Sequence, residues 1–249
     1  MSTARERRRA RLVAQAESAL ERLAADPRDH VAKGSLHEAV GSLEPLLGDD
    51  AAALRERLVD EPRRTHLTVP VPPLPVRTDR LLLRSREPSD TAALAAIYGR
   101  EDVAEYLLTP PLDLDEVEEM LADRATSDDD GFGLVLDLDG LVVGEVSLVF
   151  RGPTTGELSW VVHPDHGSRG LATEATNALI DLGFGPCALH RIYAELDARN
   201  TASARLCERL GLRRESHRLA DYWSKGEWTD TLEYAVLATE WACQPTRHH

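Results

Sequence analysis

The stretch with the most chemical content is Val162-His163-Pro164-Asp165-His166-Gly167-Ser168-Arg169-Gly170-Leu171-Ala172-Thr173. It reads as the end of a strand, a turn carrying two glycines, and a helix starting at about Arg169. The first turn of a helix leaves backbone N–H groups unpaired and carries partial positive charge. Glycines beside it let a phosphate approach the backbone, so the pattern suits a diphosphate. The same Gly-x-x-Gly spacing also serves a plain strand-to-helix turn, and alone it does not separate the two. Glu174 falls in the first helical turn, where the dipole accounts for a carboxylate. Asn200 is a good N-cap for a helix beginning at Thr201. Three cysteines, Cys187, Cys207 and Cys243, are too few and too scattered for a disulfide framework or a Cys-based zinc site. The nine histidines show no His-Glu-x-x-His spacing, so no metal is expected.

The elements that must hold these residues fall into two parts. Residues 1–60 read as helices: Thr3-Ala4-Arg5-Glu6 and Ser35-Leu36-His37-Glu38 are capping boxes, and Leu12, Ala16, Leu20 and Leu23 share a helical face. Asp50 could cap a further short helix. Residues 61–75 carry Pro62, Pro70, Pro72, Pro73 and Pro75 and read as a linker. Residues 76–241 change to a mixed α/β pattern. Arg80–Arg84 is a short strand, Pro88 begins a helix through about Tyr98, and Asp113 begins another through Arg124. Leu134–Leu138 and Leu141–Phe150 flank Asp139-Gly140, a strong hairpin signal. Glu157–Val162 and Arg191–Leu196 are strands, and Thr201–Leu210 is a helix closed by Gly211. Leu212–Leu219 and Thr231–Thr239 supply the last strands, and residues 242–249 form a tail.

The formal charge of −14 is unevenly spread. Residues 1–70 hold twelve basic and twelve acidic side chains, leaving seventeen basic against thirty-one acidic in the remainder. Such a surface repels nucleic acid and attracts cationic amines, and it also serves solubility alone. No apolar run approaches the ~20 residues of a membrane helix. The Arg-rich start leads into no signal-peptide core. A cytoplasmic protein that binds neither nucleic acid nor membrane is expected.

Taken in order, these segments resemble the GNAT superfamily of N-acetyltransferases, in its RimJ/RimL-like branch. Gly170, Ala172 and Thr173-Glu174-Ala175 match its motif A, Gln/Arg-x-x-Gly-x-Gly/Ala followed by Thr-Glu-Ala. Gly167 departs from that pattern by standing where the family has Gln or Arg, which implies a weaker cradle; Arg169 offers compensating charge. Val76–Arg84 is similar to the branch's opening strand, and Gly156-Glu157-Leu158-Ser159-Trp160-Val161 to its Glu-Ile-Gly-Tyr-Trp strand. Asn200-Thr201-Ala202-Ser203 with Cys207–Leu212, and Gly226–Ala235 with Glu240-Trp241, resemble its closing blocks.

The resemblance implies a GNAT fold of α/β (α+β) class. Its central mixed, mostly antiparallel sheet has strands four and five splayed apart and helices flanking it. A small all-helical segment precedes it here. It implies acetyl-CoA as cosubstrate and a primary amine, on a protein N-terminus or a small molecule, as acceptor. The pantetheine arm is expected along Val161, Val162 and His163, with an amide near Trp160–Val162 facing the thioester oxygen. The diphosphate is expected on Gly167, Ser168, Arg169, Gly170, Leu171, Ala172 and Thr173, with Asn200 and Ser203 also touching the cofactor. Glu157 is the expected general base, acting through water, with Glu145 in reserve. Ser203 is the expected donor to the leaving thiolate, with Tyr193 and Tyr222 as alternatives. Trp160, Trp228 and Tyr234 read as packing before acceptor lining. A rival reading is a non-catalytic acyl-CoA-binding module whose helical front segment engages a partner. That segment also suits a homodimer.

Overall fold

The computed structural model describes residues 3–25, 72–125, 131–151 and 154–243. The helices expected from Ser35 and Asp50, most of the proline-rich linker and the end of the tail lie outside the described residues. The chain divides into two compact units, residues 1–65 with 219–230, and residues 66–218 with 231–249.

In the first unit, α1 (Ala4–Ala25) begins with the expected capping box. The Thr3 amide donates to Glu6 Oε2 at 2.9 Å and the Glu6 amide to Thr3 Oγ1 at 3.2 Å, so two otherwise unpaired donors are satisfied. Leu12, on its apolar face, is buried. The same unit contains the tip of a hairpin built from β7 (Arg213–Ser224) and β8 (Glu227–Leu237). These strands run further than their sequence pattern predicts, meeting at Lys225-Gly226, whose φ angles of 49° and 92° suit a two-residue hairpin turn. The Trp223 and Trp228 rings pack edge to face with centroids 5.4 Å apart, and the Ala220 amide donates to Asp230 Oδ1 at 2.8 Å.

The second unit is built on the sheet, whose order is β1-β2-β3-β4-β5-β6-β8-β7. Its remaining strands are β1 (Val76–Arg77), β2 (Leu82–Ser85), β3 (Gly131–Leu138), β4 (Leu141–Phe150), β5 (Thr155–Val162) and β6 (Arg191–Asp197). Asp139 and Gly140 take the positive φ values (54° and 89°) that their hairpin requires. Alternation along the strands sends Leu134 and Leu136 to one core and Val135 to the other. The first core is filled by α5 (Leu171–Phe184) and α6 (Thr201–Leu210), the second by α2 (Thr91–Tyr98) and α4 (Leu114–Ala125). A one-turn α3 (Glu101–Ala104), absent from the sequence reading, lies between α2 and α4, and α7 (Ala238–Ala242) follows β8.

Two irregularities shape the site. A register shift in the β3–β4 ladder leaves Val143 without a β3 partner, and its carbonyl accepts from the His163 amide at 2.8 Å. The β5–β6 pair is the parallel one, and its ladder spans only Thr155–Glu157 against Arg191–Tyr193. Beyond that point β5 stays with β4 through Val162, while β6 stays with β8 through Asp197. The two strands must therefore diverge, which opens a wedge in the sheet. The splay expected between strands four and five falls here between the fifth and sixth strands in chain order.

Candidate active site

The wedge leads into a cleft of about 700 Å³, within the usual range for ligand sites. Its floor is Trp160, Val161 and Val162 of β5, and one wall is the start of α5. The other walls come from α6 and from α3 with the loop after it, through Val103, Tyr106 and Leu107.

The turn between β5 and α5 is tight. Pro164–His166 form a 3-10 turn, closed by the Gly167 amide donating to the Pro164 carbonyl at 2.9 Å. Ser168 has φ 56° and Gly170 φ 80°, and Gly170 is the N-cap of α5. A residue with a Cβ would be strained at Gly170. Gly170 has no side chain to cap the helix, and among the described residues no acceptor takes the N–H groups of Leu171, Ala172 or Thr173. The result is a row of bare amides at the positive end of a helix, lining the cleft. Arg205 and Arg209, four residues apart on α6, line it too, and Arg209 Nη2 donates to Thr173 Oγ1 at 3.3 Å. The sequence reading missed both arginines, although their spacing puts them on one helical face.

Of the expected cofactor residues, Val161, Val162, Gly167, Ser168, Gly170, Leu171, Ala172, Thr173, Asn200 and Ser203 line the cleft. His163 and Arg169 do not line it. His163 Nδ1 accepts from the Asp165 amide at 3.2 Å, and the Arg169 carbonyl accepts from Arg80 Nη1 at 2.7 Å. Gly167 has an ordinary backbone (φ −63°, ψ 166°), but a Cβ there would sit 2.9 Å from the Pro164 carbonyl oxygen. The curl of the preceding turn thus gives a physical reason for glycine at this point.

Asn200 caps α6: its Oδ1 accepts from the Ser203 amide at 3.0 Å. Ser203 Oγ accepts from Trp160 Nε1 at 3.2 Å, a bond that spans from β5 to α6 across the wedge. With one lone pair occupied by the indole N–H, the serine's own proton remains to be given away.

Glu157 sits opposite Tyr193 in the last pair before the strands part. Its Oε2 accepts from Arg151 Nε at 2.6 Å and from the Tyr193 hydroxyl at 3.2 Å, and it does not line the cleft. Burial, reinforced by the Glu157 charge, pushes the Tyr193 hydroxyl up to about 12, so it keeps its proton for this bond. Glu145 is buried on β4, accepts from the Tyr98 hydroxyl, and has Arg86 Nε 3.6 Å from Oε2. It ties α2 to the sheet. Tyr234 is buried in the core, whereas Trp228 and Tyr222 belong to the hairpin tip. Among the described residues no helix is long and apolar enough to cross a membrane, and no cluster of three His, Cys, Asp or Glu could hold a metal.

The sequence model of the acetyltransferase (GNAT) domain matches residues 80–213, more than half of the chain. The chain belongs to the GNAT acetyltransferase family. An uncharacterized N-acetyltransferase of Bacillus subtilis, YnaD, is 28% identical over 167 residues, covering 67% of this chain and 98% of that protein. The crystal structure of spermidine N-acetyltransferase from Vibrio cholerae in complex with CoA and spermine superposes with a TM-score of 0.60. It is 22% identical, covering 66% of this chain and 99% of that one. Mycobacterium smegmatis RimJ in complex with CoA-disulfide has a TM-score of 0.58 at 24% identity, covering 64% and 83%. These two structures share the fold. The GNAT match covers β2 through β6, the amide-lined turn and α6, and leaves outside it the N-terminal segment, β1, all of β7 beyond Arg213, and β8.

Proposed function

We propose that this GNAT acetyltransferase takes acetyl from acetyl-CoA and passes it to a primary amine, by direct attack in a ternary complex. The branch we infer is the RimJ/RimL-like one, and the acceptor is an amine on a protein N-terminus or a small molecule. The observation that carries the reading is the wedge between β5 and β6 opening onto the bare amides of α5. A pantetheine arm can run along Val161 and Val162, while Gly167, Ser168 and Gly170–Thr173 with Arg205 and Arg209 receive the diphosphate. Asn200, whose Oδ1 is used in capping, keeps its amide N–H₂ for the arm. In an acidic protein these cations and amides make the cleft the place where an anionic cosubstrate is drawn in.

Three proton and charge events then need residues. The amine must lose a proton, and Glu157 at the apex of the wedge serves as base through water. Arg151 and Tyr193 both hold Oε2, which leaves Oε1 to accept. A backbone N–H of Trp160–Val162 stabilises the oxyanion. Ser203, oriented by Trp160, protonates the departing thiolate. No cysteine nucleophile is needed: Cys187 and Cys207 are buried, and burial pushes their thiols up to about 11 and about 12. We also propose residues 1–60 as a separate helical element before the linker, consistent with the capped α1.

The test is release of free CoA from acetyl-CoA across a panel of polyamines, small amines and short peptides with free N-termini. Thiol release with a defined acceptor supports the reading. CoA binding without turnover on any member would favour the non-catalytic module instead.

A further inference from the structure

The carboxylate of Glu174 is not spent on the helix dipole alone. Oε1 accepts from Thr78 Oγ1 at 2.5 Å and from the Arg80 amide at 2.8 Å. Oε2 takes Arg80 Nε at 2.7 Å and Nη2 at 2.6 Å. Both donors belong to the turn between β1 and β2, more than ninety positions away in the chain. That turn is itself closed, with the Thr78 amide on the Leu81 carbonyl at 3.0 Å and the Leu81 amide on Thr78 Oγ1 at 3.1 Å. The third arm of the Arg80 fork, Nη1, reaches the Arg169 carbonyl at 2.7 Å. Glu174 therefore holds Arg80, and Arg80 holds the peptide that joins Arg169 to Gly170.

That peptide is a sensitive point. In a trans peptide the C=O and the following N–H point in opposite directions. With the Arg169 carbonyl held against Arg80, the Gly170 N–H must face away from Arg80, and Gly170 is on the cleft wall. Glycine at φ 80° is also the residue most able to flip the peptide before it, because no Cβ blocks the rotation. A loop built this way needs something to choose one orientation.

We propose that Thr78, Arg80 and Glu174 are positioning residues for the cofactor: they lock the Arg169–Gly170 peptide so that its N–H joins the diphosphate cradle. The proposal rests on the acetyl-CoA reading above and adds residues that do not touch the cosubstrate. It makes a prediction of opposite sign to simple electrostatics. Removing an anion close to a diphosphate should tighten binding, whereas releasing the clamp should weaken it.

The experiment measures CoA binding by calorimetry, and steady-state kinetics with acetyl-CoA and with acetylpantetheine, which lacks the diphosphate. The proteins are the full chain and its Glu174→Gln, Arg80→Ala and Thr78→Val variants. For Glu174→Gln and Arg80→Ala the expected result is a Kd for CoA raised about tenfold, the loss of one charge-assisted bond. KM for acetyl-CoA should rise in parallel and kcat should stay within twofold. With acetylpantetheine kcat/KM should not change. Thr78→Val, which leaves the Arg80 fork in place, should show a smaller rise, and it keeps the test open if a charged-residue variant folds poorly. Unchanged or tighter CoA binding in Glu174→Gln, or an equal loss with acetylpantetheine, overturns the clamp. Wild-type protein that does not bind CoA at all would sink the acetyl-CoA reading and the clamp with it.

Discussion

Replacing Gly167 with alanine sets two physical effects against each other. The backbone at Gly167 lies in an extended region open to any residue, so alanine brings no torsional strain. Loss of glycine's freedom in the unfolded chain should even stabilise the fold by about 0.4–1 kcal/mol. Against this, the new Cβ would stand 2.9 Å from the Pro164 carbonyl oxygen, a backbone atom that cannot swing aside. That carbonyl already accepts from the Gly167 amide at 2.9 Å, so the methyl group presses on the turn that the amide closes. Overpacking of this kind costs about 1–3 kcal/mol, more than the entropic gain.

The strain can be relieved by opening the Pro164–His166 turn, which would displace the Gly167 and Ser168 backbone on the cleft wall. Part of the net cost, about 1–2 kcal/mol, should then surface as weaker cofactor binding, a rise in the Kd for CoA of about five- to thirtyfold. Calorimetry with CoA and a melting curve without it measure the two shares. Gly167→Gln, which restores the family's usual residue, should behave the same way or worse. If either variant binds CoA more tightly than wild type at an unchanged or higher melting temperature, the steric reasoning is refuted. The resemblance would then be the better guide to this position.

Ser203→Ala should lower kcat by about 10²-fold, the lower end of general acid catalysis, with little change in KM for acetyl-CoA; an unchanged kcat would remove Ser203 as proton donor. Asn200→Ala removes the cap of α6 and should cost about 1 kcal/mol, seen as a melting temperature lower by about 2–4 °C. Arg84 donates to both Asp90 oxygens at 2.8 and 2.9 Å, and Asp90 is buried, so Asp90→Asn should destabilise by about 3 kcal/mol in denaturant titration. The Arg84 hydrogen bonds outweigh burial and hold the Asp90 carboxyl below its ordinary value of 3.8. Its stabilising contribution is therefore complete above about pH 3.8 and is lost as pH falls through the lower folded value. The gap between wild type and Asp90→Asn should close over that acid range. Thiol alkylation of native protein should reach Cys243, which is exposed, spare Cys187 and Cys207, and leave turnover intact.

The parts of this protein that could be read from the chain are those whose causes are local. The helix α6 begins and ends where the sequence reading put it, because Asn200 supplies the cap and Gly211 the left-handed residue that stops it, at φ 78°. The β3–β4 hairpin follows from Asp139-Gly140, and the β5–α5 turn from its two glycines beside a helix start. Where causes are distant, reading failed. The β7–β8 strands continue past Leu219 without apolar alternation, carried by the pairing of each with the other and by Trp223 against Trp228. One turn of helix at Glu101–Ala104 is too short to show a period, yet the residues around it form a wall of the cleft. The same division runs through the site. Ser203 and Asn200 were visible as residues of a first helical turn, but the Trp160 bond that orients Ser203 crosses 43 positions. Glu174 reads in the sequence as a dipole partner, yet in the fold its carboxylate also accepts from Thr78 and Arg80. A motif records which residues touch the ligand. The residues that aim them lie wherever the fold brings a donor, and only the folded chain says where that is.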